Sequence, residues 1–437
     1  MFANLKNITF ILLIFFVYFN AIGCSKKQNS FLKITDSAAH ENAKDQVQLG
    51  LVYHSGEVVP QDYNKAFEWY RKAAEQGDGD GQYYLGSLYE YGLGVSQDYN
   101  KAFEWYLKSA QQGNSNGQNR LGILYFEGNG VSQDYNKAFE WYSNSAEQGS
   151  PTGQTLLGKL YVLGKGVDKD YEKAFTLFAK SANQNDSEGI ALLGSLYFSG
   201  EGIPRDYKKA FELASKSAAQ GNANGQSLLA WMYFSGAGVS KDYDKAFELA
   251  SKSAAQKSPR GQSILGTMYQ IGAGTPKDEI KALELFIKSS EKGDTRGKIG
   301  LSMHYISGKG IDKDYNKAFE LLSEPDVKED SLGQALLGTL YESGYGTPQD
   351  YTIAHEMYSK SAASGNERGQ LLLGILYSSD KVNFKSYKKS YAWLSIVAEK
   401  GVTVAEKFRD SVVQYMSQAE LREAQALAKE ISAKISK

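Results

Sequence analysis

The sequence of 437 residues contains one cysteine, Cys24, and only seven prolines. A single cysteine excludes a disulfide framework within the chain. The four histidines lie far apart and form no H-E-x-x-H motif, so no metal site is predicted. No charge predominates, because 49 basic residues stand against 50 acidic ones. The basic stripe typical of nucleic-acid-binding proteins is therefore missing, and we expect no nucleic-acid partner.

Glycine and tyrosine are abundant instead, with 44 and 30 copies. Many glycines with few prolines predict short turns between helices rather than a disordered linker. Apolar residues make up 42% of the chain, which is enough to bury a large core. The composition thus favours a folded, helical protein.

The same ten letters, QDYNKAFEWY, occur at 61–70, 97–106 and 133–142. They belong to a period of 36 residues that no insertion or deletion interrupts, as a ladder of tyrosines shows. This tyrosine ladder consists of Tyr53, Tyr89, Tyr125, Tyr161, Tyr197, Tyr233, Tyr269, Tyr305, Tyr341 and Tyr377. Self-similarity at a fixed period is typical of a solenoid.

Each repeat contains two stretches with helical periodicity. In DYNKAFEWYRKAAEQG (62–77) the apolar and small residues recur at i, i+3, i+4 and i+7, which predicts one face of a helix. Asp62 is placed to cap the start of this helix and Gly77 to end it. The stretch GQYYLGSLYEYG (81–92) has its own buried stripe. Both linkers are short, so neighbouring helices are expected to be antiparallel.

One repeat is too short to fold alone, because a chain below roughly 40 residues rarely buries enough surface. Stacking against neighbouring repeats supplies the missing burial. The letters that recur are therefore expected to form the interfaces between repeats.

An apolar run, residues 8–21, lies near the N-terminus. It is shorter than the ~20 residues that a membrane-spanning helix needs, and it predicts the central region of a secretory signal. An uncleaved anchor and a simple cleaved signal are the alternatives.

The sequence AIGC at 21–24 resembles a bacterial lipobox. That resemblance implies a lipoprotein signal peptide over 1–23 and lipidation of Cys24. The serine that follows implies sorting to the outer membrane, facing the periplasm or the cell surface. Residues 24–42, polar and without periodicity, are predicted to form a tether.

The repeated pattern LG-x-LY-x-x-G-x-G-V-x-x-DY-x-KA-F resembles the Sel1-like repeat, with clear examples at 85–113 and 193–221. The resemblance implies an all-α fold, a right-handed superhelical solenoid of antiparallel helix pairs like those of tetratricopeptide repeats. We expect ten repeats of 36 residues over 43–401 and capping helices over 402–437. Pro325 interrupts one copy and predicts that its helix ends near Ser323.

The chain offers little sign of catalysis. The repeated G-x-G loops lack the strand and third glycine of a dinucleotide site, so no cofactor is predicted. Two S-x-x-K matches, Ser289–Lys292 and Ser378–Lys381, have the spacing of penicillin-recognising enzymes but lack the partner motifs S-D-N and K-T-G. No catalytic residue is predicted, and a β-lactamase-like or penicillin-binding-like protein is the enzyme alternative.

Four positions of the first helix differ from copy to copy, at spacing i, i+4, i+7 and i+8 on one face. In related solenoids the first helices line the concave side, so these positions are our candidate partner-binding face. Its members are Tyr83, Ser87, Tyr91, Asn119, Phe126, Lys159, Phe198, Trp231 and Phe234. The alternative is that their aromatic rings simply pack against neighbouring helices.

The sequence therefore predicts a membrane-tethered scaffold or adaptor that binds a protein. Peptidoglycan or another envelope component is a further possible partner. The same binding surface would also suit a host-interaction factor.

Overall fold

A computed structural model describes residues 33–38 and 41–435. Throughout these residues the regular secondary structure is helical, with no strand. The signal segment 1–23, Cys24 and the first part of the tether lie outside the described residues. The chain divides into an N-terminal unit, Met1–Leu213, and a C-terminal unit, Ala214–Lys437.

The N-terminal unit consists of helix pairs, one pair for each repeat. Its first helices are Ala43–Ser55, Gly79–Tyr91, Ser115–Glu127, Pro151–Leu163 and Ser187–Ser199. Its second helices are Tyr63–Glu75, Tyr99–Gln111, Tyr135–Glu147 and Tyr171–Asn183. The boundary between the two units falls within the next helix, Tyr207–Ala219.

Local sequence fixes the ends of these helices. Asp78 accepts a hydrogen bond from the backbone N–H of Gly81 and so caps the start of a first helix. Gly92 ends that helix with a φ of 69°, a left-handed conformation that glycine adopts without steric cost. Asp62 caps a second helix by accepting from the backbone N–H of Lys65, as the sequence predicts.

Glycine also brings the two helices of a repeat close together. A Cβ atom added at Gly86 would lie 2.8 Å from the ring of Tyr106. The tyrosine ring therefore occupies the space that a side chain on the first helix would need. At the end of the pair, the amide of Gln112 donates to the side-chain carbonyl of Gln82 at 2.7 Å.

The tyrosine ladder joins one repeat to the next. Tyr89 packs edge-on against Phe67 of the preceding repeat, with ring centroids 5.5 Å apart. The ammonium group of Lys101 lies 5.3 Å from the centre of the same Tyr89 ring. The same ring pair recurs as Phe103 with Tyr125. The residues that recur are therefore the ones that form the interfaces between repeats.

The C-terminal unit continues the same pattern with irregularities. Its first helices are Ala223–Ser235, Pro259–Ile271, Thr295–Ser307, Ser331–Ser343 and Glu367–Ser378. Its second helices are Tyr243–Ala255, Glu279–Ser290, Tyr315–Leu322, Tyr351–Ala363 and Tyr387–Ala398, and two closing helices follow, Thr403–Val413 and Gln418–Ile435.

The repeat that contains Pro325 has the early helix end that the sequence predicts. Its second helix ends at Leu322 with Ser323 as C-cap, and Pro325 begins a separate short helix, Pro325–Glu329. Proline lacks the backbone N–H that would continue the first segment but suits the first turn of a new helix.

The end of the predicted tether has a different structure from the one expected. Residues 33–38 are helical, and Ala38 is only 1% exposed. The side-chain amide of Gln46 donates to the carbonyl of Ala38 at 3.1 Å, which fastens this segment to the first repeat. Among the described residues, no helix combines the length and hydrophobicity needed to cross a membrane.

Candidate partner-binding face

The predicted residues of the N-terminal unit differ in accessibility. Tyr91 is 50% exposed, whereas Tyr83 and Ser87 are half-buried. Asn119 is only 3% exposed, and its amide donates to the hydroxyl of Ser150 at 3.3 Å. Asn119 therefore lies inside the packing between first helices, which the sequence did not predict.

The predicted phenylalanines are half-buried against a tyrosine of their own repeat. Phe126 lies 5.2 Å from Tyr135, and Phe198 lies 5.4 Å from Tyr207, measured between ring centroids. In the C-terminal unit Phe234 packs on Tyr243 at 5.7 Å. These rings pack within the repeat and also present an edge on the face.

In the N-terminal unit the face contains a cavity of about 570 Å³. It brings together three of the predicted residues, Tyr91, Phe126 and Lys159. Its other lining residues include Glu90, Arg120, Ile123, Tyr142, Leu156 and Leu163. A cavity with apolar walls and a few polar groups is the usual form of a binding pocket.

Both cations around this cavity, Arg120 and Lys159, have a carboxylate partner inside the unit. Glu90 is 8% exposed, accepts a hydrogen bond from the hydroxyl of Tyr106 at 2.6 Å, and lies 3.5 Å from the guanidinium of Arg120. Burial is the largest single effect and lowers the pKa of Arg120, but the Glu90 carboxylate and the neighbouring tyrosine hydroxyls together raise that pKa overall. Lys159 pairs with Glu188 at 2.7 Å.

The C-terminal unit has a smaller cavity of its own, of about 330 Å³, lined mainly by residues of its first helices. Trp231, a predicted residue, forms one wall and stacks on Phe234 with ring centroids 5.3 Å apart. The guanidinium carbon of Arg296 lies 4.0 Å from the centre of the Trp231 ring. Apolar lining comes from Ile299, Met303 and Leu332.

Arg296 lines this cavity, and Arg260 occupies the equivalent position one repeat earlier, outside the lining residues. Within residues 41–435, Arg260 and Arg296 form no ion pair within 4.0 Å, in contrast to Arg120. Burial and then the positive charge of Arg296 lower the pKa of Arg260. Asp294 opposes this shift, but its carboxylate already accepts the backbone N–H of Gly297 at 2.8 Å.

The two S-x-x-K matches do not form a nucleophile and base. The hydroxyl of Ser289 is fully buried and donates to the carbonyl of Pro259 at 2.8 Å. The ammonium of Lys292 donates to the carbonyl of Lys257. The hydroxyl of Ser378 donates to its own helix, at the carbonyl of Ile375.

No cluster of three or more potential metal ligands exists in the part of the chain that the structure describes. The sequence reasoning missed Arg120, Arg260 and Arg296. Arg260 and Arg296 occupy the same position of the repeat as Asp80 and Glu188. The charge is therefore negative at these two residues of the N-terminal unit and positive at the two arginines of the C-terminal unit. This reversal was the available signal for a site.

The sequence model of the Sel1 repeat matches nine segments of the chain. They are residues 43–78, 79–114, 115–150, 151–186, 187–222, 223–258, 259–294, 297–324 and 331–366. The helix pair that follows, from Glu367 to Ala398, lies outside these matches. No curated protein matches the chain significantly.

Several solved structures are similar to the chain. The protective antigen c5321 of uropathogenic Escherichia coli, described with an SLR fold, is 29% identical over 93% of this chain and 95% of its own, with a TM-score of 0.45. A Sel1 repeat protein from Oxalobacter formigenes is 28% identical over 56% and 96%, with a TM-score of 0.48. Cysteine-rich protein B of Helicobacter pylori is 29% identical over 32% and 99%, with a TM-score of 0.26.

Proposed function

The chain belongs to the Sel1 repeat family, and from that premise we propose that it is a scaffold that captures a protein on its first-helix face. Sel1 repeats typically mediate protein–protein interaction, and a stack of them presents an extended surface. Capture requires shape and charge complementarity and no bond chemistry. The partner would be a protein of the cell envelope or one that reaches it, and peptidoglycan is the runner-up ligand.

The cavity of the N-terminal unit is the observation that carries this proposal. Its floor is built on repeated core residues such as Leu160, whereas Arg120, Ile123 and Lys159 occupy positions that change from repeat to repeat. Packing fixes the repeated letters and leaves the variable ones free to select a ligand. A cavity lined by variable side chains on a constant framework is suited to a specific partner.

We further propose that lipidation of Cys24 tethers the scaffold to the outer membrane. The support is the AIGC motif after an apolar run. One acyl chain gives only marginal membrane binding, so stable anchoring would need the several chains that a lipoprotein carries. Metabolic labelling with a palmitate analogue, with Cys24→Ser as the control, tests this; incorporation that persists in Cys24→Ser would contradict it.

Photo-crosslinking in cells tests the scaffold itself. Benzoylphenylalanine replaces Ile123 in the cavity, or Glu104, an exposed residue of a second helix, as the matched control. We expect a discrete crosslinked protein from position 123 and not from position 104, identified by mass spectrometry. Equal crosslinking at both positions would contradict the first-helix face as the partner-binding surface. Hydrolysis of nitrocefin by the purified chain would contradict a purely binding role.

A further inference from the structure

We infer that the smaller cavity, in the C-terminal unit, binds an acidic segment of the partner protein, with one carboxylate on Arg296 at the cavity wall, a second on Arg260 at the equivalent position one repeat earlier, and an apolar side chain in the cavity beside Trp231. This inference rests on the proposed scaffold function and names the chemistry of the partner. Three observations support it: the geometry of Arg296, the lack of internal counter-ions, and the apolar lining of the cavity.

The first observation is the stacking of Arg296 on Trp231. The guanidinium carbon lies 4.0 Å from the ring centre, within the range of a cation–π contact. A guanidinium carries its five N–H donors in its own plane. Stacking on an aromatic face therefore holds the group in place and leaves those donors for a planar, bidentate partner. A carboxylate has that geometry.

The second observation is the missing counter-ion. Within residues 41–435, Arg120, Lys159 and Lys298 each have a carboxylate within 4.0 Å, but Arg260 and Arg296 have none. Both arginines lie in the first turn of a first helix, Pro259–Ile271 and Thr295–Ser307. A cation there opposes the helix dipole, which favours negative charge at a helix N-terminus. Two neighbouring cations at such positions are unfavourable until an anion is added.

The third observation is the rest of the cavity. Ile299, Met303 and Leu332 provide apolar lining, and the volume of about 330 Å³ accommodates one or two side chains rather than a folded element. Asp330 also lines the cavity, but its carboxylate already accepts the backbone N–H groups of Leu332 and Gly333. A free inorganic anion would leave this lining uncovered. A peptide with alternating acidic and apolar residues satisfies both parts of the site.

The test uses the full chain and a defined peptide of eight residues, fluorescein-labelled, with glutamate and leucine in alternation. Anisotropy measures the dissociation constant at low and high salt. We expect binding that weakens with salt, because the contacts are ionic. The double variant Arg260→Gln/Arg296→Gln should bind at least about tenfold more weakly, the scale expected when interfacial charge pairs lose one partner. A peptide with glutamine in place of glutamate should not bind.

The matched control is Arg409→Gln/Arg422→Gln, which removes the same two charges from the closing helices of the same unit. It should retain the affinity of the parent chain. Arg296→Gln alone serves if the double variant loses its helical circular dichroism, because Arg296 is exposed and its removal leaves the core intact.

Three outcomes would overturn the inference: no binding of the acidic peptide, equal loss in the control variant, or tighter binding of polyphosphate than of the peptide. The last would assign the arginines to a general polyanion. A discrete crosslink from position 123 in the N-terminal unit, together with failure of the peptide, would preserve the scaffold and reject only this partner chemistry. Binding of the peptide without a crosslink from position 123 would instead support the acidic-peptide site and contradict the first-helix face of the N-terminal unit as the place of capture.

Discussion

The two units treat charge on their first helices in opposite ways. In the N-terminal unit, Arg120 and Lys159 each have a carboxylate within 4.0 Å, so the cations at the cavity are neutralised internally. In the C-terminal unit, Arg260 and Arg296 have no such partner within the described residues. A common repeat framework therefore supports two different surfaces. The difference teaches that the variable positions, and not the framework, carry the chemistry of recognition.

The units also differ in their cores. In the C-terminal unit His304 occupies a position that is Met268 one repeat earlier and Leu340 one repeat later, and it is 1% exposed. Its Nε2 lies 4.0 Å from the carboxylate of Glu279, a residue that replaces a tyrosine of the neighbouring repeats. The N-terminal unit has an aliphatic residue, Val52 or leucine, and tyrosine at these positions.

Lys298 is a third departure, at a position that holds glutamine in most other repeats. Its ammonium lies 2.7 Å from Glu324 and 3.0 Å from Asp326. Both carboxylates flank Pro325, where the second helix is broken. The substitution thus replaces the usual glutamine pair, such as Gln82 with Gln112, by an ion-pair cluster at the break.

The largest expected effect comes from disturbing the regular unit at its closest helix contact. A Cβ atom at Gly122 would lie 2.4 Å from the ring of Tyr142, so Gly122→Ala must displace a fully packed aromatic side chain. Overpacking of this kind costs about 1–3 kcal/mol of unfolding free energy. Urea denaturation of the full chain measures it.

The control is Gly79→Ala, where the nearest atom to an added Cβ is 3.6 Å away. Its unfolding midpoint should not fall. The C-terminal unit shows how the same contact accommodates a methyl group: the equivalent positions hold Ala230 and Ala250, both fully buried. An unchanged midpoint in Gly122→Ala would mean that the glycine is not required by Tyr142.

The second prediction replaces two irregular residues of the C-terminal unit, Glu279 and His304, with the residues found at these positions in other repeats. The double variant Glu279→Tyr/His304→Leu removes a buried imidazole nitrogen, Nε2 of His304, that lacks a hydrogen-bond partner. It also removes a carboxylate whose Oε1 lies 3.0 Å from the ammonium of Lys277 and 3.2 Å from that of Lys309. An unsatisfied buried polar group costs about 1–3 kcal/mol, whereas ion pairs to exposed lysines contribute about 0–1 kcal/mol, so we expect a net gain in stability of roughly 1 kcal/mol. Thermal unfolding followed by circular dichroism measures this gain.

The two single variants are the controls for that pair. His304→Leu alone leaves Glu279 beside a leucine, and Glu279→Tyr alone leaves the imidazole in the core. Neither should give half of the combined gain, because residues in contact couple. If the stability changes of the two single variants add up to that of the double variant, Glu279 and His304 do not interact energetically.

Much of this architecture could be predicted from the sequence. The period, the helix pairs, the aspartate caps and the break at Pro325 follow from local chemistry that every repeat expresses in its own letters. The site could be predicted only in part. Tyr91, Phe126 and Lys159 line the predicted face around one cavity, whereas Asn119 is buried. Which arginine has a partner depends on contacts between repeats, and a helical pattern does not encode them.

The third prediction converts one surface into the other. Glu90→Gln keeps the hydrogen bond from the hydroxyl of Tyr106 but removes the negative charge that pairs with Arg120. We expect a loss of about 1 kcal/mol in stability, since a half-buried guanidinium loses its partner. The N-terminal unit should then gain affinity for the acidic peptide, measured in the Arg260→Gln/Arg296→Gln background. No gain would mean that an unpaired arginine alone does not make the site.

The smallest expected effect concerns the helix-capping aspartates, which the two units have in common. Asp62 in the N-terminal unit and Asp242 in the C-terminal unit cap second helices, and the backbone N–H of the lysine three residues on is the main cause that lowers the pKa of each carboxyl. A folded pKa below the usual value of 3.8 means that ionised aspartate stabilises the fold above that pH. The stabilisation is lost as the pH falls from 3.8 through the folded pKa.

Asparagine caps a helix nearly as well as aspartate but does not titrate in this range. Asp62→Asn and Asp242→Asn should therefore each flatten the dependence of the urea midpoint on pH as the pH falls below 3.8, and by similar amounts. Asp312→Asn, at an exposed loop carboxylate, is the control and should leave the curve unchanged. A much larger effect in one unit would show that the caps, like the arginines, have been adapted separately. Equal effects would confine the difference between the units to the first-helix face and to the polar core of one repeat.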